Sequence, residues 1–154
     1  MKALVIYDSK FGNTEQVAQA IADTLGEEGI GQLISVDEAD VLELEGVDLL
    51  VLGGPTQRHG LSPAVRAWLE LIPRGVMRGL FVAAFDTRYR MPRWKSGSAA
   101  LAIARKLRRK GPSLLLPPES FFVAAREGPF EDGELEHAAS WTRLILERLE
   151  ACRG

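Results

Sequence analysis

Short apolar runs alternate along this chain with segments of helical period, and that alternation constrains the fold more than any other feature. Ala3-Leu4-Val5-Ile6-Tyr7 has no polar face, as expected of a parallel strand covered on both sides. Val17, Ala20, Ile21, Thr24 and Leu25 then recur at helical spacing. Val65, Trp68, Leu69 and Ile72 make a second such face, and Leu135, Ala138, Ala139, Thr142, Leu146 and Leu149 a third. The spacing predicts strands near 2–7, 32–36, 48–53, 79–85 and 120–125. It predicts helices near 14–26, 63–72, 97–110 and 133–151, and a short one near 38–44. Leu114-Leu115-Leu116 reads as an additional or leading piece of the last strand, cut off by Pro117-Pro118. Boundary chemistry agrees. Asn13 with Gln16 resembles a capping box, Ser62-Pro63 gives an N-cap followed by proline, and Ser96 or Ser98 can cap the fourth helix. The expected architecture is α/β: a doubly wound, five-stranded parallel sheet with helices on both faces, a three-layer sandwich formed by one domain over 1–154. Trp68 and Trp141 lie within the helical patterns and read as packing residues.

At 154 residues such a domain buries roughly 70% of its unfolded surface without staples. Cys152 is the only cysteine, and His59 and His137 stand apart, so neither a disulfide framework nor a zinc site is expected. No apolar run approaches the ~18 residues that span a membrane. The first strand begins near the start of the sequence, so no leader is expected. A cytoplasmic location is the expectation. The net charge of −2 hides an asymmetry. Between Asp86 and Glu119 there are nine basic residues and no acidic one, while the remaining chain holds 10 basic against 21 acidic. Residues 105–110 end a helix, where cations suit the macrodipole. Arg88, Arg90, Arg93 and Lys95 lack that explanation and attract anions. Nucleic acid is not an expected partner, since no recognition motif accompanies the band.

In open parallel sheets ligands sit beyond the carboxyl ends of the strands, where the winding reverses. Three loops of unusual composition reach that edge: 8–14, 54–62 and 86–96. The first, Asp8-Ser9-Lys10-Phe11-Gly12-Asn13-Thr14, joins strand to helix with hydroxyls, an amide and a glycine. Unpaired N–H groups and the positive end of the helix dipole favour a phosphate there. Neither a GxxxxGK[ST] loop nor a GxGxxG turn is present, which disfavours nucleoside triphosphates and dinucleotides.

Ser9-Lys10-Phe11-Gly12-Asn13-Thr14 is instead similar to the flavodoxin phosphate signature, departing from it where Phe11 replaces a hydroxyl residue. Gly53-Gly54-Pro55-Thr56, Ala84-Phe85-Asp86-Thr87-Arg88 and the Gly-Pro-Phe-Glu-Asp-Gly-Glu-Leu turn before the last helix extend the resemblance over the whole chain, in the family's short form. The resemblance implies FMN. It places the phosphate on Ser9, Lys10, Phe11, Gly12, Asn13 and Thr14, and the isoalloxazine between Pro55, Thr56, Gln57, Arg58, His59, Gly60 and Asp86, Thr87, Arg88, Tyr89, Trp94. Tyr89 is the preferred stacking face, Trp94 an alternative, and Gln57 stands where an aromatic is common in the family. Arg58, Arg88, Arg90, Arg93 and Lys95 in these loops predict a less negative flavin potential than in acidic carriers. The implied function is electron transfer between redox proteins, preferred because no acid–base or nucleophile constellation is evident. An FMN-dependent oxidoreductase, of NAD(P)H:quinone or protoporphyrinogen type with a small quinone-like acceptor, is one alternative; a flavin-free interaction protein of the same fold is another.

Overall fold

The period of two in the apolar runs sends alternate side chains to opposite faces of a sheet, and both faces here are apolar. Leu4, Ile6, Leu50, Leu52, Val82 and Ala84 pack into one core; Ala3, Val5, Leu49, Val51, Ala83 and Phe85 pack into another. The computed structural model describes residues 1–29, 31–125 and 128–154. It contains β1 (Ala3–Tyr7), β2 (Gln32–Ser35), β3 (Leu49–Pro55), β4 (Phe81–Tyr89), β5 (Ser113–Leu114) and β6 (Glu119–Val123) in one sheet. All pairings are parallel, and the order is β2-β1-β3-β4-β5. The fifth position is shared: β5 pairs with Phe81 and Val82, and β6 pairs with Phe85 to Tyr89 on the same strand. Pro117 and Pro118, which have no N–H to donate, separate the two pieces.

Helices cover both faces. α1 (Asn13–Gly26) and α5 (Glu134–Arg153) lie on one, where Val17, Ile21, Leu25, Ala138, Trp141, Ile145 and Leu149 are buried. α2 (Pro63–Leu71) and α4 (Ala99–Arg108) lie on the other, through Val65, Trp68, Leu69, Ile103 and Leu107. A fully buried aliphatic chain contributes roughly 1.5–3 kcal/mol, so these two layers hold the sheet. Phe85, Phe121 and Trp141 meet edge to face, with centroids 5.8–6.2 Å apart.

Several boundaries differ from the sequence expectation. β3 extends beyond 53 to Pro55 because its parallel ladder with β4 continues to the Pro55–Thr87 pair, and β4 extends beyond 85 to Tyr89 because β6 pairs with it that far. A separate short helix, α3 (Arg93–Ser96), occupies part of the expected 86–96 loop. The turn near 38–44 is a 3-10 helix over Val41–Leu44. The N-cap of α1 is Gly12 (φ 89°), not Asn13, which is already helical; no side chain caps this end. The Ser62 and Ser98 caps are present, accepting from Val65 N and Leu101 N. Among the described residues no helix is long and apolar enough to cross a membrane.

Candidate functional site

The winding reverses between β1 and β3, whose carboxyl ends open onto one edge of the sheet. There the Asp8 N–H donates to Gly53 O (3.1 Å), which roots the first loop on β3. Ser9 Oγ accepts from the Gly12 N–H (3.0 Å) and closes the turn. Asn13 and Thr14 are buried at the start of α1. Thr14 Oγ1 lies 2.9 Å from Thr87 Oγ1, so a hydroxyl pair ties the first loop to the end of β4. Lys10 and Phe11 are exposed beside one another, with the ammonium 5.5 Å from the ring centroid.

The second loop is a tight hairpin. Gln57 and Gly60 exchange both backbone bonds at 2.9 Å, and the residues between them, Arg58 (φ 46°) and His59 (φ 69°), are both left-handed. That is the geometry of a two-residue primed turn, which usually employs Asn or Gly, and holding side-chain-bearing residues in it costs about 1 kcal/mol or more each. The surroundings hold it. The Thr56 N–H donates to Thr87 O (3.0 Å), and Thr56 Oγ1 accepts from the Ala99 N–H (3.0 Å). Gly97 (φ 71°) bridges to His59, and a Cβ on Gly97 would run into the His59 backbone.

Behind the third loop lies a buried polar network. Asp86 Oδ2 accepts from the Ser98 hydroxyl (2.6 Å) and the Ala100 N–H (3.0 Å), which fastens the start of α4 to β4. Arg88 lies with Nε 4.0 Å from Asp86 Oδ1, donates to Ser120 Oγ (2.9 Å), Met91 O (2.9 Å) and Ser96 Oγ (3.1 Å), and covers the Phe122 ring. Burial first draws its guanidinium pKa below the ordinary value; Asp86 opposes that shift, and the charges of Arg93 and Arg90 add to it. Arginine starts so high that the group stays charged at neutral pH.

The three loops enclose a cleft of about 1140 Å³. Of the residues expected at the site, Ser9, Lys10, Phe11, Asn13, Thr14, Pro55, Thr56, Gln57, Arg58, His59, Gly60, Thr87, Arg88 and Tyr89 line it. Gly12, Asp86 and Trp94 do not. Gly12 shapes the turn from behind, Asp86 points to α4, and Trp94 stands in solvent on α3. The cleft also reaches residues that the sequence reading left out: Leu61, Pro63, Arg66, Ala67 and Glu70 from the α2 side, and Met91, Lys95, Ser96 and Val123. Ser62-Pro63 was a signal for the former, since a helix opening at that edge must present a flank to it. Of the five basic residues expected to set the local charge, Arg88 is committed to the network and Arg90 is paired with Glu131 at 2.7 Å. Arg93 lies outside the cleft, and Arg58 and Lys95 line it. Lys10, Arg66 and Arg88 line it too, so among the described residues five cationic side chains line the cleft with one carboxylate, Glu70.

The donor set fits a phosphate ester with a flat polar ring. A dianion finds hydroxyls and first-turn N–H groups at Ser9–Thr14, and the rest of the cleft offers backbone polar groups and the Tyr89 side chain.

Comparison with known proteins gives three kinds of likeness. A family model described as Flavodoxin matches residues 5–141. A flavodoxin of Clostridium saccharobutylicum is 28% identical over 89 residues, 56% of this chain and 56% of that protein, so the match spans about half the relative's length. Among solved structures, oxidised flavodoxin 1 from Bacillus cereus has a TM-score of 0.79 at 23% identity, covering 96% of this chain and 98% of that one. A flavodoxin from the domain Archaea has a TM-score of 0.80 at 23% identity, covering 97% and 99%. Rubredoxin oxygen:oxidoreductase from Desulfovibrio gigas shares the fold at TM-score 0.79 and 22% identity, but this chain covers only 36% of it.

Proposed function

The chain belongs to the flavodoxin family, and on that premise we propose that it binds FMN in the cleft at the sheet's carboxyl edge and carries electrons between redox proteins. One observation carries the reading: the Ser9–Thr14 turn, the Pro55–Gly60 hairpin and the Thr87–Tyr89 strand end, far apart in sequence, line a single cleft. FMN supplies one- and two-electron transfer when bound. The chain's own residues supply the rest. Ser9 and Thr14 hydroxyls and the backbone N–H groups around Gly12 hold the phosphate, and Lys10 adds a point charge. Asn13 braces the turn: it is buried against Gly128, where a Cβ would come within 2.8 Å of its Oδ1. The Phe11 position contributes its backbone N–H in place of the family's hydroxyl. The strained Gln57–Gly60 hairpin presents a fixed backbone to the ring, and Tyr89 presents its face. Arg88 is a brace, holding strand end, α3 and β6 together. In this reading the protein works in the cytoplasm, where a single unpaired cysteine, Cys152, is ordinary.

The test is the visible spectrum of the purified protein together with titration of stripped protein with FMN. A flavin spectrum and submicromolar affinity are expected. No binding after refolding in excess FMN overturns the reading in favour of the flavin-free alternative. Rapid direct reduction by NAD(P)H with steady-state quinone turnover would overturn the carrier assignment in favour of an oxidoreductase.

A further inference from the structure

Three large apolar side chains that line the cleft stay partly exposed, Phe11 (41%), Tyr89 (39%) and Met91 (37%), and Trp94 (78%) stands next to cleft-lining Lys95 on α3. Other large apolar groups are exposed elsewhere, Leu42 and Leu71 among them, but the two other tryptophans are buried, each at 3%. Around them stand Lys10, Arg58, Arg66, Arg93 and Lys95, all exposed, and none forms an ion pair with a carboxylate among the described residues. Arg66 comes from α2 and Lys95 from α3, so cations line the cleft from two separate elements, with Arg93 two residues before Lys95. Among the described residues Glu70 is the one carboxylate lining the cleft. Asp37, Glu38 and Asp40 follow the edge strand β2, at the other end of the sheet from β4.

An apolar, aromatic centre within a charged ring is the anatomy of a protein interface, in which arginine and aromatic residues are enriched. The ring's sign opposes that of the whole chain, whose net charge is −2. At physiological salt the screening length is about 8 Å, so a partner near contact feels mainly the charges at the mouth, where Glu131 is already paired with Arg90. We propose that the mouth of the cleft is the docking surface for an acidic redox protein. Its carboxylates face Lys10, Arg58, Arg66, Arg93 and Lys95, and its apolar contact covers Met91 and Trp94. Like-charge contact with this ring rejects a basic partner. The inference rests on the FMN-carrier reading and names the partner class for the same site.

The experiment uses FMN-loaded protein, reduced beforehand with dithionite and mixed in stopped flow with ferricyanide or hexaamminecobalt(III). Each ferricyanide takes one electron and leaves as ferrocyanide; each cobalt(III) takes one and becomes cobalt(II). The ferricyanide rate is expected to fall roughly tenfold from low to high salt, and the cobalt rate to rise. The double variant Arg66→Glu/Arg93→Glu should reverse both slopes. Arg108→Glu/Arg109→Glu makes the same change in net charge at the far end of α4, about 13 Å from its start, and should leave both slopes in place. A second readout needs no flavin. Trp94 is the exposed tryptophan, so its quenching by iodide and by caesium at constant ionic strength reports the local potential. Iodide should be the stronger quencher, and the Arg66→Glu/Arg93→Glu variant should invert the order. Flavin-loaded protein whose two rates respond alike to salt, or whose slopes ignore the mouth variant, overturns the docking proposal and leaves FMN binding intact. Protein that takes up no FMN overturns the carrier reading and redox docking with it, whatever the quenching shows.

Discussion

Asp86 is fully buried, and its position follows from the alternation of β4. Val82 and Ala84 face the α2/α4 core, so Asp86 faces the same way and meets the start of α4; Phe85 and Thr87 face α1. The motif likeness alone had placed Asp86 beside the flavin, but the strand continues past it and the pleat turns it inward. Among the described residues its Oδ1 finds no hydrogen-bond donor, and Arg88 at 4.0 Å is its counter-charge. Asp86→Ala strips acceptors from Ser98 and Ala100 and leaves Arg88 uncompensated, at an expected cost of about 3 kcal/mol. Asp86→Asn keeps an oxygen for both donors and should cost clearly less. Urea unfolding of the two variants checks the order, and equal losses would refute a hydrogen-bonding role for the carboxylate.

The two serine caps separate local from tertiary contributions to an element. Ser62 accepts from Val65 N at the start of α2, so Ser62→Ala should cost about 1 kcal/mol, the ordinary value of an N-cap. Ser98 accepts from Leu101 N and also donates to Asp86, so Ser98→Ala should cost about 1–2 kcal/mol more, by leaving a buried carboxylate short of a donor. Thermal unfolding of both variants measures the difference; indistinguishable midpoints would contradict it. Both caps were legible because serine before the first apolar turn is a local signal. The cap of α1 was not, since Gly12 acts through a left-handed backbone that makes no side-chain signature. Nor was α3, whose four residues are too short to show a helical period.

For the molecule as a whole, the charge around the cleft should set the flavin potential. A cation lining the site favours the more negative, reduced cofactor. Lys95→Glu should therefore lower the potential by tens of millivolts, whereas Arg108→Glu, the same change in charge beyond the cleft, should move it far less. Potentiometric titration of the two flavin-loaded variants decides, and equal shifts would refute local control. The sequence by itself determined the sheet and its helical layers, because burial on both faces imposes a period of two on strands and of 3.6 on helices, and both are written in consecutive residues. It also marked the three loops, whose glycines and short polar side chains are local signals. Only the tertiary structure decided which cations act on the cleft. Arg88 turns into a network with Asp86 and Ser120, Arg90 finds Glu131, and Arg66 arrives from a helix with no motif. Charge acts through distance and burial, and neither is a property of neighbouring positions along the chain.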